Sequence, residues 1–158
     1  MEYTCLVFSE GGRDKQFLIT LIDLPKFKYH TQKWNFNYDS ATGSSPETIL
    51  KQCRKAIFGK TYHLVLCFID LDTLKSNHPR TWQQEKSRLE SCYSGIIIIW
   101  QLDNAEDEYI KVLGGHYQSK GKLNKAARDK IEEFINSDFW KRILNPIKEE
   151  EKELEKRH

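Results

Sequence analysis

Strand-like and helix-like spacings of apolar residues alternate along this chain. Six apolar residues run unbroken from Leu64 to Ile69, end on Asp70, and are followed by Asp72 two positions later. A short apolar run with polar ends predicts a strand buried on both faces. Period-two geometry then sets Asp70 and Asp72 on the same side of the chain at its exit. The β-branched run Ile96–Trp100, preceded by Gly95, predicts another strand, and Tyr3–Phe8 a third. His30–Tyr38 alternates imperfectly, with Trp34, Phe36 and Tyr38 on one side, and suits an edge strand. Helical spacing of Phe17, Leu18, Leu21 and Ile22 predicts a helix over Asp14–Leu24 that Pro25 ends. Ser44 and Glu47 have capping-box spacing around Pro46, so a helix is expected to about Phe58, closed by Gly59. A polar helix follows over Arg80–Cys92, with Trp82, Leu89 and Cys92 facing inward. Asp103 and Glu106 have the spacing of a cap and its partner, predicting a short helix to Leu113 that Gly114-Gly115 ends.

The order is therefore βαβαβαβα, an open four-stranded, mainly parallel α/β sheet with helices on both faces and right-handed crossovers. Beyond it, Leu123, Ala127, Ile131 and Phe134-Ile135 mark one helix, and Phe139, Trp140, Ile143 and Leu144 a second. The expected division is an α/β domain over 1–115, a C-terminal helical extension packed on it over 116–147, and a solvated charged tail over 148–158.

Composition narrows the partners. With 158 residues, 39% apolar and 30% charged, the chain has the length and balance of one soluble domain. A net charge of +2 does not by itself point to nucleic acid, so a basic patch must carry any such claim. No apolar run approaches a membrane span, and the acidic opening MEYTCLVFSEGG is unlike a signal peptide. Cys5, Cys53, Cys67 and Cys92 form no CxxC pair, which argues against zinc and for free thiols in a reducing cytoplasm.

The acids carry the chemistry. Glu10 follows the first strand, Asp70 and Asp72 the third, and Glu106, Asp107 and Glu108 the fourth. Open α/β sheets bind ligands outside the carboxyl ends of their strands. Carboxylates gathered there repel one another unless a proton or cation lies among them, and a hard cation such as Mg²⁺ or Mn²⁺ suits oxygen donors. Taken one at a time, each acid reads equally well as a loop, cap or first-turn residue.

Strand–Glu–Gly followed by strand–Asp-x-Asp resembles the Toprim domain shared by topoisomerases, bacterial primases and several nucleases. The resemblance lies in LVFSEGGRDKQFL (6–18) and LVLCFIDLDTLK (64–75), and IIIIWQLDNAEDEYIKVL (96–113) is similar to small stand-alone Toprim-like proteins. It implies a Toprim/Rossmann-like sheet and metal-dependent phosphodiester chemistry on DNA or RNA. In that reading Asp70 and Asp72 hold Mg²⁺ or Mn²⁺, Glu10 is a metal ligand or general acid–base, and Asp14 either joins the metal or is a first-turn acid. Gly11 and Gly12 offer backbone N–H groups to a phosphate, with Arg13 and Lys15 beside them; Glu106 and Asp107 are possible additional acids. Thr73-Leu74-Lys75 departs from the Gly or Asn that many members carry after Asp-x-Asp. No ATPase, zinc-ribbon or polymerase segment adjoins, so the nuclease branch, or a subunit working with an ATPase or other protein, is expected rather than a topoisomerase or a complete primase.

Two rival readings remain. Asp70-Leu71-Asp72-Thr73 comes close to the nucleophile motif of haloacid-dehalogenase-like phosphatases, one residue short of their Asp-x-Asp-Gly-Thr. The domain can equally be a non-catalytic metal- or nucleic-acid-binding subunit. Lys120, Lys122, Lys125, Arg128 and Lys130 read by default as a solvated helix face, Asn104 as a loop residue, and Trp34, Trp82, Trp100 and Trp140 as core. His30, His63, His78 and His116 form no ligand pattern.

Overall fold

The computed structural model describes residues 2–42, 45–101 and 104–157. Strands β1 (Tyr3–Ser9), β2 (Trp34–Ser40), β3 (Leu64–Asp70) and β4 (Ile97–Gln101) form one open sheet, all parallel, in the order β2-β1-β3-β4. Helices α1 (Gly12–Ile22), α2 (Pro25–His30), α3 (Pro46–Ile57), α4 (Leu71–Asn77), α5 (Trp82–Cys92), α6 (Ala105–Leu113), α7 (Lys120–Asp129) and α8 (Asp138–Lys156) surround it, with a 3₁₀ turn at Ile131–Phe134. Among the described residues no helix is long and apolar enough to cross a membrane.

The strand period sorts the core into two halves. Tyr3, Cys5 and Val7 of β1 and Leu64, Leu66 and Phe68 of β3 face one side. There they pack with α1, α2, α6, α7 and α8. Leu6, Phe8, Val65, Cys67 and Ile69 face the other side, against residues of α3, α4 and α5. A parallel strand covered on both faces has no polar side, which is why β3 reads as a continuous apolar run. Phe17 of α1 meets Tyr109 of α6 at 4.4 Å and Phe134 at 4.9 Å between ring centroids, fixing α1 against α6. Glu108, buried on α6, is paired with Arg142 of α8, and Arg142 also donates to the Trp100 carbonyl at 3.0 Å.

Several boundaries differ from those the sequence predicts. Pro25 does not stop the first helix: α1 ends at Ile22, and Pro25 opens α2, where its missing N–H costs nothing. The second strand begins at Trp34, because His30 belongs to α2. Ser44 and Asp103, the expected caps, lie outside the described residues. The caps are Ser45, accepting from the Thr48 N–H, and Asn104, accepting from the Asp107 N–H. Cys92 is exposed rather than inward. Over residues 148–157 the charged stretch is a largely solvated helix end. α8 continues to Lys156, Leu154 is buried in the same core as α1, and Glu155 pairs with Lys33 at 2.6 Å. The helices beyond residue 115 pack into that core through Leu123, Ala127, Phe139 and Trp140.

Candidate functional site

Strand order decides where a site can form. From β1 the chain crosses to β2 on one side and, later, to β3 on the other. The crevice between β1 and β3 is therefore the topological switch point, where the loops leave in opposite directions. Glu10 lies just past β1 and Asp70 ends β3. Phe8 is in register with Cys67, which brings Glu10 level with the last residues of β3. The Asp70 N–H donates to Glu10 Oε2 at 3.0 Å, locking the two acids together across the crevice.

A cleft of about 330 Å³ opens there, lined by Glu10, Gly11, Asp14, Asp70, Asp72, Thr73, Asn104, Glu106 and Lys120. Asp72 reaches it differently from the extended geometry expected of the sequence. The chain turns into α4 at Leu71, so Asp72 lies in a first helical turn rather than continuing the strand. Asn104, the cap of α6, donates from Nδ2 to Asp72 Oδ2 at 3.0 Å while its own Oδ1 holds the Asp107 N–H at 2.9 Å. Thr73 Oγ1 donates to Asp72 Oδ1 at 3.4 Å. Asp14 receives the Tyr109 hydroxyl at 3.4 Å.

Asp70 is the outlier. It occupies the cap position of α4 yet makes no capping hydrogen bond, and its Oδ1 is buried with no partner among the described residues. Its register partner on β4, Gln101, is buried too, and its Oε1 has no partner among the described residues. Burial, then the charges of Glu10, Asp14, Asp72 and Glu106, pushes the Asp70 carboxyl up to about 8. Burial and the neighbouring Glu106 and Glu10 push Asp14 up to about 6, against the lowering pull of Tyr109 and Lys120. Burial raises Glu10 as well, and the Asp70 N–H partly offsets it. Among the described residues that line the cleft, Lys120 is the only cation.

Among the described residues, no group of three or more His, Cys, Asp or Glu side chains is arranged to hold a metal ion. The expected ligand set of Glu10, Asp14, Asp70 and Asp72 shares one cleft without meeting at a common point. The hydrogen bonds give the reason. Glu10 is turned to the Asp70 backbone, Asp72 to Asn104 and Thr73, and Asp14 to Tyr109. The donor chemistry still fits a hard cation, and the orphaned Asp70 oxygen fits a missing positive partner. Mg²⁺ commonly binds through one or two carboxylates, keeps several waters and takes the rest of its shell from substrate phosphate. An open carboxylate cleft can supply that without a closed cage.

The remaining predicted site residues divide. Gly11 lines the cleft; Gly12, Arg13 and Lys15 are not among its lining residues. Neither Gly11 nor Gly12 is in a left-handed conformation, so the turn after β1 does not require glycine. Of the two possible additional acids, Glu106 lines the cleft and Asp107 lines the adjoining groove. Sequence reasoning gave little weight to Asn104, Lys120 and Tyr109. Asn104 carries a readable signal, an amide three residues before the N–H it caps. Lys120 arrives through the turn at Gly114 and Gly115, both with positive φ, which no spacing rule connects to residue 10 or 70. Trp34, Trp100 and Trp140 are buried and Trp82 packs against the core, as expected.

Fold and site together define an all-parallel α/β protein with an acidic cleft at its switch point. Neither a family model, nor a curated protein, nor a solved structure matches the chain.

Proposed function

We propose that the cleft binds Mg²⁺ or Mn²⁺ and acts on the phosphodiester backbone of nucleic acid, as a nuclease or nicking activity. The observation that carries this reading is the buried, unpartnered Asp70 Oδ1 among Glu10, Asp14, Asp72 and Glu106 at the β1/β3 crevice. The motif order Glu-Gly, then Asp-x-Asp, which resembles the Toprim pattern, supports it from the sequence side. Asp70 and Asp72 would hold the cation, with Glu10 beside them fixing the Asp70 backbone. Bound there, the cation would supply charge neutralisation at the phosphate and stabilise the leaving oxygen. Asp14, titrating near 6 and oriented by Tyr109, is suited to take or give a proton at neutral pH. Lys120 is the only cationic side chain among the described lining residues and would meet the substrate's phosphate. The four free thiols, three of them buried, fit a cytoplasmic setting. A protein partner, such as an ATPase subunit, remains compatible with this reading.

The test is cleavage of end-labelled single- and double-stranded DNA and RNA in Mg²⁺, Mn²⁺ or EDTA. Strand scission that appears with metal and stops in EDTA is the expected result. Folded protein that binds Mn²⁺ but never cuts would instead mark a binding subunit.

Gly11 gives a finer probe. Its φ of −150° and ψ of 169° are open to any residue, and a Cβ there would meet nothing within 4 Å. The fold therefore leaves a gap where a phosphate could approach the backbone. Gly11→Ala should leave the folding stability within about 0.5 kcal/mol of wild type. The cleavage rate should fall at least about tenfold, as expected when a bound group is displaced by a methyl. Equal loss of stability and rate would mean that the glycine serves the fold.

A further inference from the structure

A second hollow adjoins the acidic cleft and shares three of its walls. It measures about 300 Å³, and Asn104, Glu106 and Lys120 line both spaces. Away from the acids, its surface is formed by Ile110 of α6, Leu123 of α7, and Gly115, His116 and Tyr117 of the connection between them. Ile110 is 39% exposed and presents an apolar surface to this hollow. Tyr117 packs against the core on one side and lines the hollow on the other. Lys120 stands at the junction, and Lys122, Lys125 and Arg128 continue from it along α7, all exposed.

We infer that this groove seats the base of the nucleotide next to the phosphate held in the cleft, making single-stranded nucleic acid the substrate. The inference rests on the phosphodiester reading of the cleft and names its substrate class. Charge sorts the parts of the strand. Glu106 and Asp107 on the wall repel phosphate, so the charged backbone is confined to Lys120 and the basic face beyond it. An uncharged planar base meets no such barrier, and Tyr117, Ile110 and Leu123 offer it an apolar surface with His116 at hand. A base can reach this surface only when it is unpaired, because in a duplex its faces are covered by stacking and its edge by its partner. The groove has room for one heterocycle beside Lys120, and its continuity with the cleft fixes which nucleotide that is.

The experiment measures binding and position without cleavage. Wild-type protein in Ca²⁺ is titrated against short fluorescent single strands of DNA and RNA and against the matching duplexes. Parallel samples carry 5-iodouracil for photocrosslinking. Single strands should bind at least about fivefold more tightly than duplexes, and Tyr117→Ala should remove most of that margin, as loss of one stacking partner does. His116→Ala, at an exposed position, should weaken single strands without touching the core. The crosslinked peptide should contain Tyr117 or His116. Equal affinity for duplex and single strand, or a crosslink confined to other peptides, overturns the inference. The two readings fail separately. Cleavage that is indifferent to Tyr117 and His116 removes the groove and leaves the cleft. A crosslink at Tyr117 in a protein that never cuts removes the nuclease and leaves the groove.

Discussion

Asp70→Asn is expected to lower the metal-dependent cleavage rate on the order of a thousandfold while leaving the protein as stable as wild type or more so. The two effects have one cause. Asp70 Oδ1 is buried with no partner among the described residues, in the field of Glu10, Asp14, Asp72 and Glu106. A carboxylate in that position is a burden on the folded chain unless a cation or a proton relieves it. The amide is nearly the same size, keeps the backbone N–H that Glu10 accepts, and removes the charge. It also removes one of the carboxylate oxygens that would hold the cation. Charge stabilisation by a bound metal contributes several kcal/mol to phosphoryl chemistry, and each 1.36 kcal/mol is about tenfold in rate. Asp72→Asn should cost less, because Asp72 already gives Oδ2 to Asn104 and Oδ1 to Thr73. The measurement is a cleavage time course beside a thermal melt, with metal affinity read by Mn²⁺ titration. An Asp70→Asn protein that melts as wild type, has lost Mn²⁺ and still cuts would remove the metal from the mechanism. One that melts far below wild type would make Asp70 a structural residue.

The sheet and the acids at its edge were legible in the sequence because strand geometry writes itself locally. Leu64–Ile69 is apolar throughout since both its faces are covered, and Glu10, Asp70 and Glu106 follow strands that all run the same way. Parallel topology alone then brings residues sixty positions apart to one crevice, as the Asp70 N–H to Glu10 contact records. What was not legible depends on where the chain turns. The sequence shows Asp70 and Asp72 as alternate residues of one extended run, but Leu71 starts a helix at once and sends Asp72 round its first turn. The sequence puts the cap of α6 one residue earlier, at Asp103, and that offset hides Asn104 as the residue holding Asp72. Arg13 and Lys15, within five residues of Glu10, are the cations that the sequence sets beside the phosphate. The lining cation is Lys120, brought by packing of α7 against α1 and α6, a long-range effect that no local pattern carries.

In EDTA the protein should become less stable as pH rises from about 5 to about 8.5, the reverse of the usual behaviour of paired carboxylates, and Mg²⁺ should restore it at the upper end only. The sign follows from the direction of the shifts. Asp70 titrates near 8 in the folded chain against an ordinary 3.8, Asp14 near 6, and Glu10 is raised too. Between those limits the folded state keeps protons that the unfolded state has released. This stability is full below about pH 4 and is lost as pH passes through about 6 and then about 8. Solvent in the open cleft screens part of it, leaving a loss on the order of 2–3 kcal/mol, or roughly 5–10 °C in melting temperature. Glu85, whose pKa is lowered by Arg88, has the opposite sign, but its effect falls below the ordinary carboxylate range, so the window above pH ~5 belongs to the cleft. A divalent cation competes with those protons for the same oxygens. At pH ~8 it should raise the melting temperature with concentration, and at pH ~5 hardly at all, with protons released on binding. Asp70→Asn should flatten both the pH slope and the Mg²⁺ response. A melting temperature that does not fall across this window, or a Mg²⁺ effect equal at both ends, would mean that the acids are relieved by something other than a proton or a cation. Because this coupling needs no substrate, it tests the charge logic of the cleft whether or not the chain cuts nucleic acid.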